Sequence, residues 1–356
     1  MAKKTQRIAS APAAGRDAVR IGFVPLVDSA PLIAALELGF FQREGVQVKL
    51  IRQIGWAGIR EGLIFDELDA AHALAPMAYA LKLGLGCAPT DVLVPYIISR
   101  EGNAITLSVD LWNKGVRDAA TLRNLVLSQR PRLLTFAVVA ECSGHRILLQ
   151  KWLEEAGVDI RRDVKIVVLP PLQMVRNLRA GLIDGFCSGE PWNTLAVREG
   201  IGWCPAVSAE LSPDHPEKVL LVRSDFAVRH RDQLQAIIRA LAAASAVCED
   251  PEGREELVSL LAHKRYLNLP EEIIGPSLTG GFVKLPGADS RPGPMHRFRG
   301  KNINTPTAQT GRWLFREMQN SGLLPENMDT PEHLPAAVFR SDLYENALQP
   351  ITPSLS

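Results

Sequence analysis

The fold is decided by residues 20–54, RIGFVPLVDSAPLIAALELGFFQREGVQVKLIRQI. Arg20-Ile21-Gly22-Phe23-Val24-Pro25-Leu26 reads as a strand. Asp28 and Ser29 stand where a helix is capped, and Leu32, Ala35 and Leu36 share the face of that helix until Gly39 stops it. Val46 to Ile54 then alternates as a second strand. Strand, helix and strand in close succession form one βαβ unit, which predicts α/β layers around a largely parallel sheet.

Working outward, the alternation repeats. Gly58 to Leu68 is expected as a helix, Ala70 to Leu74 as a short buried strand, and a further helix opens at Pro76. Val92 to Val109 holds two extended pieces around the turn Arg100-Glu101-Gly102-Asn103. A second set follows: helix Asp118 to Leu127, strand Leu133 to Ala140, and a helix capped by Ser143 and ended by Gly157. Strand Val164 to Leu169, helix Leu172 to Leu182 and strand Asp184 to Cys187 complete it. After His215, strand Val219 to Val222 leads into a long helix, Arg231 to Cys248. The remainder reads as helix and loop, with a Gly/Pro-rich stretch at Gly280–Pro294 whose order the sequence leaves open.

Composition narrows the function classes. The chain has 356 residues, 46% hydrophobic and 22% charged, enough to bury a large core and too apolar for disorder. Forty Lys and Arg against 39 Asp and Glu leave a formal net charge of +1, so no global field recruits nucleic acid or an anionic membrane. The five cysteines are widely spaced, with neither a C-x-x-C pair nor zinc-ligand spacing, and most read as small core residues; no metal or cofactor is expected. The first twenty residues lack the apolar region of a secretory signal, and no run reaches transmembrane length. These features predict a disordered polar tail over residues 1–20, a C-terminal tail over 346–356, and a cytoplasmic protein. Gly-x-Gly-x-x-Gly, Walker and Gly-x-Ser-x-Gly motifs are absent, and nothing places a nucleophile beside a base, so an enzyme is not expected.

What remains is a set of polar residues where strands end and helices begin, the place where open α/β sheets bind ligands. Trp56 follows the second strand, with Gly55 before it and Ala57-Gly58 after, so it either covers a small ligand or packs at a lobe surface. His145 lies at the start of a helix, where free N–H groups favour an anion, or it merely sits at a cap. Lys218, in His215-Pro216-Glu217-Lys218, offers one cation at a strand entrance, or is a solvated lysine.

Together these residues resemble the nitrate- and bicarbonate-binding proteins of ABC transporters, a branch of the type II periplasmic-binding-protein folds. The resemblance runs through Gly22-Phe23-Val24-Pro25-Leu26, Leu38-Gly39-Phe40-Phe41, Trp56, Arg60, Asp69-Ala70-Ala71-His72, Pro170-Pro171-Leu172-Gln173, Gly189-Glu190-Pro191-Trp192-Asn193 and His215-Pro216-Glu217-Lys218. It implies an α/β protein of two lobes, with the ligand cleft between lobe 1 (residues 21–105 and 223–345) and lobe 2 (residues 106–222). Carried over residue by residue, the nitrate contacts fall on Trp56, Asn103 (where the family has Gln), His145 and Lys218. In the bicarbonate branch the last position is acidic and works with a metal ion, so a lysine there points to nitrate or nitrite. Gln173, Glu190, Trp192, Arg60 and His72 match the family as surrounding residues. Gln173 equally fits a helix cap, and His72 a buried group serving the backbone.

The N-terminus differs from that of an exported receptor. This resembles the cytoplasmic nitrate/nitrite sensors of the NasS type. In that family the sensor holds an ANTAR-domain, RNA-binding antiterminator of the NasT type when ligand-free and releases it when the anion binds. The alternatives are a substrate-binding protein of a nitrate, bicarbonate or sulfonate ABC transporter and, further off, an enzyme of the same fold. The enzymes of this fold that make the thiamine pyrimidine carry a Cys-rich motif missing here.

Overall fold

In a computed structural model, residues 18–325, 328 and 331–349 are described. The tail expected over 1–20 lies outside them as far as residue 17, and that expected over 346–356 lies outside them from residue 350. Between those limits both tails shrink. Val19 and Arg20 already belong to the first strand, and residues 346–348 finish the helix Ser341–Leu348, where Ala347 is buried in the core.

The strands run β1 (Val19–Phe23), β2 (Val48–Arg52), β3 (Ala70–Leu74), β4 (Val92–Glu101), β5 (Asn103–Ser108), β6 (Leu134–Val138), β7 (Val164–Val168), β8 (Gly185–Gly189), β9 (Gly202–Val207) and β10 (Pro216–Arg223). Three two-residue strands follow, β11 (Phe282–Val283), β12 (Ser290–Arg291) and β13 (His296–Arg297). They build a six-stranded sheet in the order β13-β4-β10-β3-β1-β2, a five-stranded sheet in the order β7-β6-β8-β5-β9, and the small pair β11-β12. Helices cover the larger sheet from both sides. The long helix Arg231–Glu249 packs its Ile237, Ala240 and Leu241 with Ile33 and Ala34. On the other face Tyr79 meets Phe315 edge-on at 5.3 Å.

Both large sheets are mixed rather than largely parallel. The βαβ units give parallel pairs, β1 with β2 and β3, and β6 with β7 and β8. The strands next to the crossings between sheets break the pattern: β10 runs antiparallel to β3 and β4, and β5 runs antiparallel to β8 and β9. A strand that enters from the other lobe without a crossover helix arrives with the opposite sense.

The crossing itself is Gly102, held at φ +88°, with Glu101 before it also at positive φ. The smaller sheet therefore starts at Asn103, and the chain has rejoined the larger sheet by Pro216. Against the expected division at 105/106 and 222/223, Asn103 moves to the smaller lobe and Lys218 to the larger. The apolar runs on either side of the turn read alike, and the glycine sets the point of crossing. The unread strand β9 is the edge of its sheet, which is why it tolerates Pro205.

The Gly/Pro-rich stretch is built into this frame. Phe282 and Met295 pack with Ala104, Cys204 and Val207 of the smaller lobe, and Lys284 O accepts from Cys204 N at 2.7 Å. A further hydrophobic cluster spans the two lobes, joining Leu26, Trp56 and Met77 with Ala137, Met174 and Trp192.

Candidate functional site

The site is assembled from chain ends that the sheets bring together. Trp56 begins the helix Trp56–Ile64 and is buried, its ring 5.8 Å from that of His72 and 5.3 Å from Lys218 Nζ. His72 lies on β3 and Lys218 on the neighbouring strand β10, both fully buried. His145 is the second residue of the twelve-residue helix Gly144–Glu155, which Ser143 caps by accepting from Arg146 N at 3.1 Å. Asn103, the first residue of β5, donates its backbone N–H to Ser208 Oγ at 3.1 Å. Asn103 Oδ1 and Asp28 Oδ2 approach Gly189 to within 3.4 and 3.5 Å of the position a Cβ would take there. Trp56, Lys218 and His72 thus come from the larger lobe, and Asn103 and His145 from the smaller.

Two carboxylates complete the cluster. Lys218 Nζ lies 2.7 Å from Asp28 Oδ2 and donates a hydrogen bond to Glu217 Oε1, also at 2.7 Å. His72 Nε2 lies 2.9 Å from the other oxygen of Asp28, His145 Nδ1 is 3.7 Å from Glu217 Oε1, and His215 Nε2 is 3.4 Å from Glu217 Oε2. Adjacent residues on a regular strand point to opposite faces, yet Glu217 and Lys218 reach the same centre, because the β10–β4 register shifts on both sides of Lys218.

This corrects the expectation of a lysine free to neutralise an anion: Lys218 already has two anionic partners. Burial works against the charge on Lys218, and the Asp28 and Glu217 carboxylates more than offset it, so its pKa stands above the usual lysine value. Burial would raise the two acids, but Lys218 holds both well below the ordinary carboxylate range. Burial pushes His145 down to about 4 against the pull of Glu217, and it lowers His72 against Asp28.

Trp56 Nε1, the Asn103 side-chain amide and both His145 ring nitrogens are buried with no hydrogen-bond partner among the described residues. Each such group costs about 1–3 kcal/mol if nothing satisfies it.

The surrounding residues divide. Glu190 is fully buried, its Oε2 accepting from Thr194 Oγ1 at 2.6 Å and its Oε1 unpartnered, and burial raises it to about 7. Its backbone ties the lobes together: Glu190 O accepts from Val27 N at 3.0 Å and Glu190 N donates to Gly102 O at 3.3 Å. Trp192 is buried in the cluster that spans the lobes. Arg60 lies in the wall of a cavity of about 860 Å³ that opens between the lobes beside Trp56, with Val139, Glu141 and Cys142 opposite. Gln173 is exposed and makes no side-chain cap. His72 serves a carboxylate, Asp28, in place of the backbone group expected for it.

Sequence reasoning missed Asp28 and Glu217. Asp28 read as a helix cap, but neither Asp28 nor Ser29 caps with its side chain; Ser29 Oγ donates to Leu26 O at 2.6 Å. The available signal was an acid in the turn that follows the first parallel strand, where ligands collect. For Glu217 the bulge removed the signal, since alternation alone sends it away from Lys218.

Two mixed sheets joined by extended crossings, with a buried polar site where they meet, define the two-lobed type II periplasmic-binding-protein fold. Residues 13–262 match the NMT1-like family, and the chain belongs to that family. It is 34% identical to the nitrate/nitrite binding protein NrtA of Synechococcus elongatus over 345 residues, covering 94% of this chain and 78% of NrtA. It is 38% identical to the bicarbonate transport ATP-binding protein CmpC of the same organism over 86% of this chain, but spans only 46% of CmpC. Among solved structures, the periplasmic nitrate-binding protein NrtA from Synechocystis superposes with a TM-score of 0.89 at 28% identity, covering 94% of this chain and 89% of that one. The chain is thus a homologue of nitrate-binding proteins of transport systems.

Proposed function

We propose that this chain binds nitrate or nitrite between its two lobes and is no enzyme. The observation that carries the reading is the convergence of unpartnered, buried donors from both lobes, Trp56 Nε1 and the Asn103 and His145 side chains, on the surroundings of one buried ammonium. A planar oxyanion offers acceptors in several directions and satisfies donors that have no hydrogen-bond partner among the described residues. Charge-assisted hydrogen bonds contribute roughly 1.5–3 kcal/mol each, so three or four match the ~8 kcal/mol of micromolar binding. Because these residues are buried, the anion enters only when the lobes part, and their closure desolvates it.

The names of the relatives favour a substrate-binding protein of an ABC transporter as the biological role. The cytoplasmic sensor that releases a NasT-type ANTAR antiterminator remains a second proposal, supported by a formal net charge of +1 that gives the chain no field for holding RNA itself. Calorimetric titration with nitrate, nitrite, bicarbonate and an alkanesulfonate tests the ligand. Heat with nitrate or nitrite is expected; binding of bicarbonate or the sulfonate alone contradicts the reading. Co-purification with an ANTAR-domain protein tests the sensor role, which requires a complex that nitrate dissolves.

A further inference from the structure

Glu217 holds ground that an incoming anion needs. Its Oε2 lies 2.6 Å from where a Cβ on Gly144 would sit, at the first residue of the helix whose N-terminus favours negative charge. Its Oε1 takes the hydrogen bond of Lys218 and faces His145 Nδ1 at 3.7 Å. Asp28 holds the other side of the ammonium. Two buried carboxylates thus share one cation, and the cluster carries one negative charge in excess before any ligand arrives.

Three other histidines near this pair do not supply the missing positive charge. Burial keeps His72, on Asp28, and His145 below the ordinary histidine range, and it brings His296, which also feels Asp28, down to about 4. On β8 of the smaller sheet, burial keeps the Cys187 thiol protonated. His215 reaches only the far oxygen of Glu217, at 3.4 Å. Nitrate and nitrite have acceptor oxygens alone, so neither can hydrogen-bond to a carboxylate, and each adds a second uncompensated charge to a buried centre.

We propose that Glu217 is a specificity-determining residue of this site and makes anion binding proton-linked: each nitrate enters with one proton taken from solvent and shared between Glu217 and His145. One anion and one proton arrive together, the charge of the cluster does not change, and His145 gains the N–H it turns toward the anion. An oxyanion that carries its own O–H, such as bicarbonate, brings this donor with it and takes up no proton. The inference rests on the oxyanion reading above.

The test is calorimetric titration of nitrate into the full chain in two buffers of different ionisation enthalpy, phosphate and Tris, repeated at several pH values. The wild type is expected to take up close to one proton per nitrate, and its affinity to fall by up to about tenfold per pH unit once the shared proton must be drawn from solvent. Glu217→Gln, which removes the excess charge, is expected to bind nitrate with no proton uptake and a flat pH profile. Nitrate binding by the wild type with no proton uptake and no pH dependence overturns the inference and leaves the oxyanion reading intact. No heat with nitrate or nitrite at any pH overturns both. Should Glu217→Gln fail to fold, the buffer dependence of the wild type decides alone.

Discussion

Lys218 is held by Asp28 and Glu217 at 2.7 Å each, so replacing it by methionine strands two carboxylates in a buried site. Lys218→Met is expected to destabilise the fold by roughly 3–5 kcal/mol, seen as a lower midpoint in denaturant, and Asp28→Asn in the same background to recover part of it. Trp56→Phe keeps the ring over His72 and deletes the unpartnered Nε1 donor. Stability is expected to stay nearly unchanged while nitrate affinity drops about tenfold or more, read by titration. The four proposed ligand residues, Trp56, Asn103, His145 and Lys218, were named from the resemblance, and the structure brings them to one buried centre. Their two anionic partners were not legible, because a carboxylate at a cap position and one beside a bulge look the same in sequence as solvated acids.

Gly102 separates the two sheets, and two features make it irreplaceable. Its φ is +88°, and a Cβ there would lie 2.2 Å from the His296 ring. Gly86, at φ +66° with nothing within 4 Å, isolates the backbone part of that cost. Gly86→Ala is expected to lower stability by about 1–2 kcal/mol, and Gly102→Ala by clearly more, in matched chemical denaturation curves. If the two variants lose equal stability, the packing of His296 on the crossing contributes nothing. The βαβ elements were readable from period and punctuation, as Ala70–Leu74 shows. Edge strand β9 and the exact partition of the crossing strands were not, since Pro205 obscures the first and the second depends on pairing across the whole chain.

At the scale of the molecule, the buried titratable groups set how stability follows pH. His145 and His296 stand near 4 in the folded chain, against an unfolded value of about 6.5, so their neutral burial favours the fold above that value and loses ground as pH falls toward 4. Asp28 and Glu217, depressed by Lys218, extend the loss below about pH 4. Glu190, raised to about 7, works in the opposite sense: its protonated form favours the fold at low pH, and that contribution disappears as pH rises toward 7. Two histidines against one acid predict a net fall in denaturant midpoint between pH 6.5 and 4, steeper in Glu190→Gln. A flat profile in both contradicts the buried, neutral histidines. The two-lobed architecture was legible through the motifs, but which lobe owns Asn103 and which Lys218 was not, because both stand near the start of a strand at which the chain changes sheet.

We propose that one small oxyanion lies between Trp56, Asn103 and His145 beside Lys218, and a crystal structure of the chain grown with nitrate shows whether it does. Density is expected for a planar anion within hydrogen-bond distance of Trp56 Nε1, the Asn103 amide and His145, in contact with both lobes. An anion bound only in the outer cavity near Arg60, or these three donors still without a partner at saturating nitrate, would contradict it.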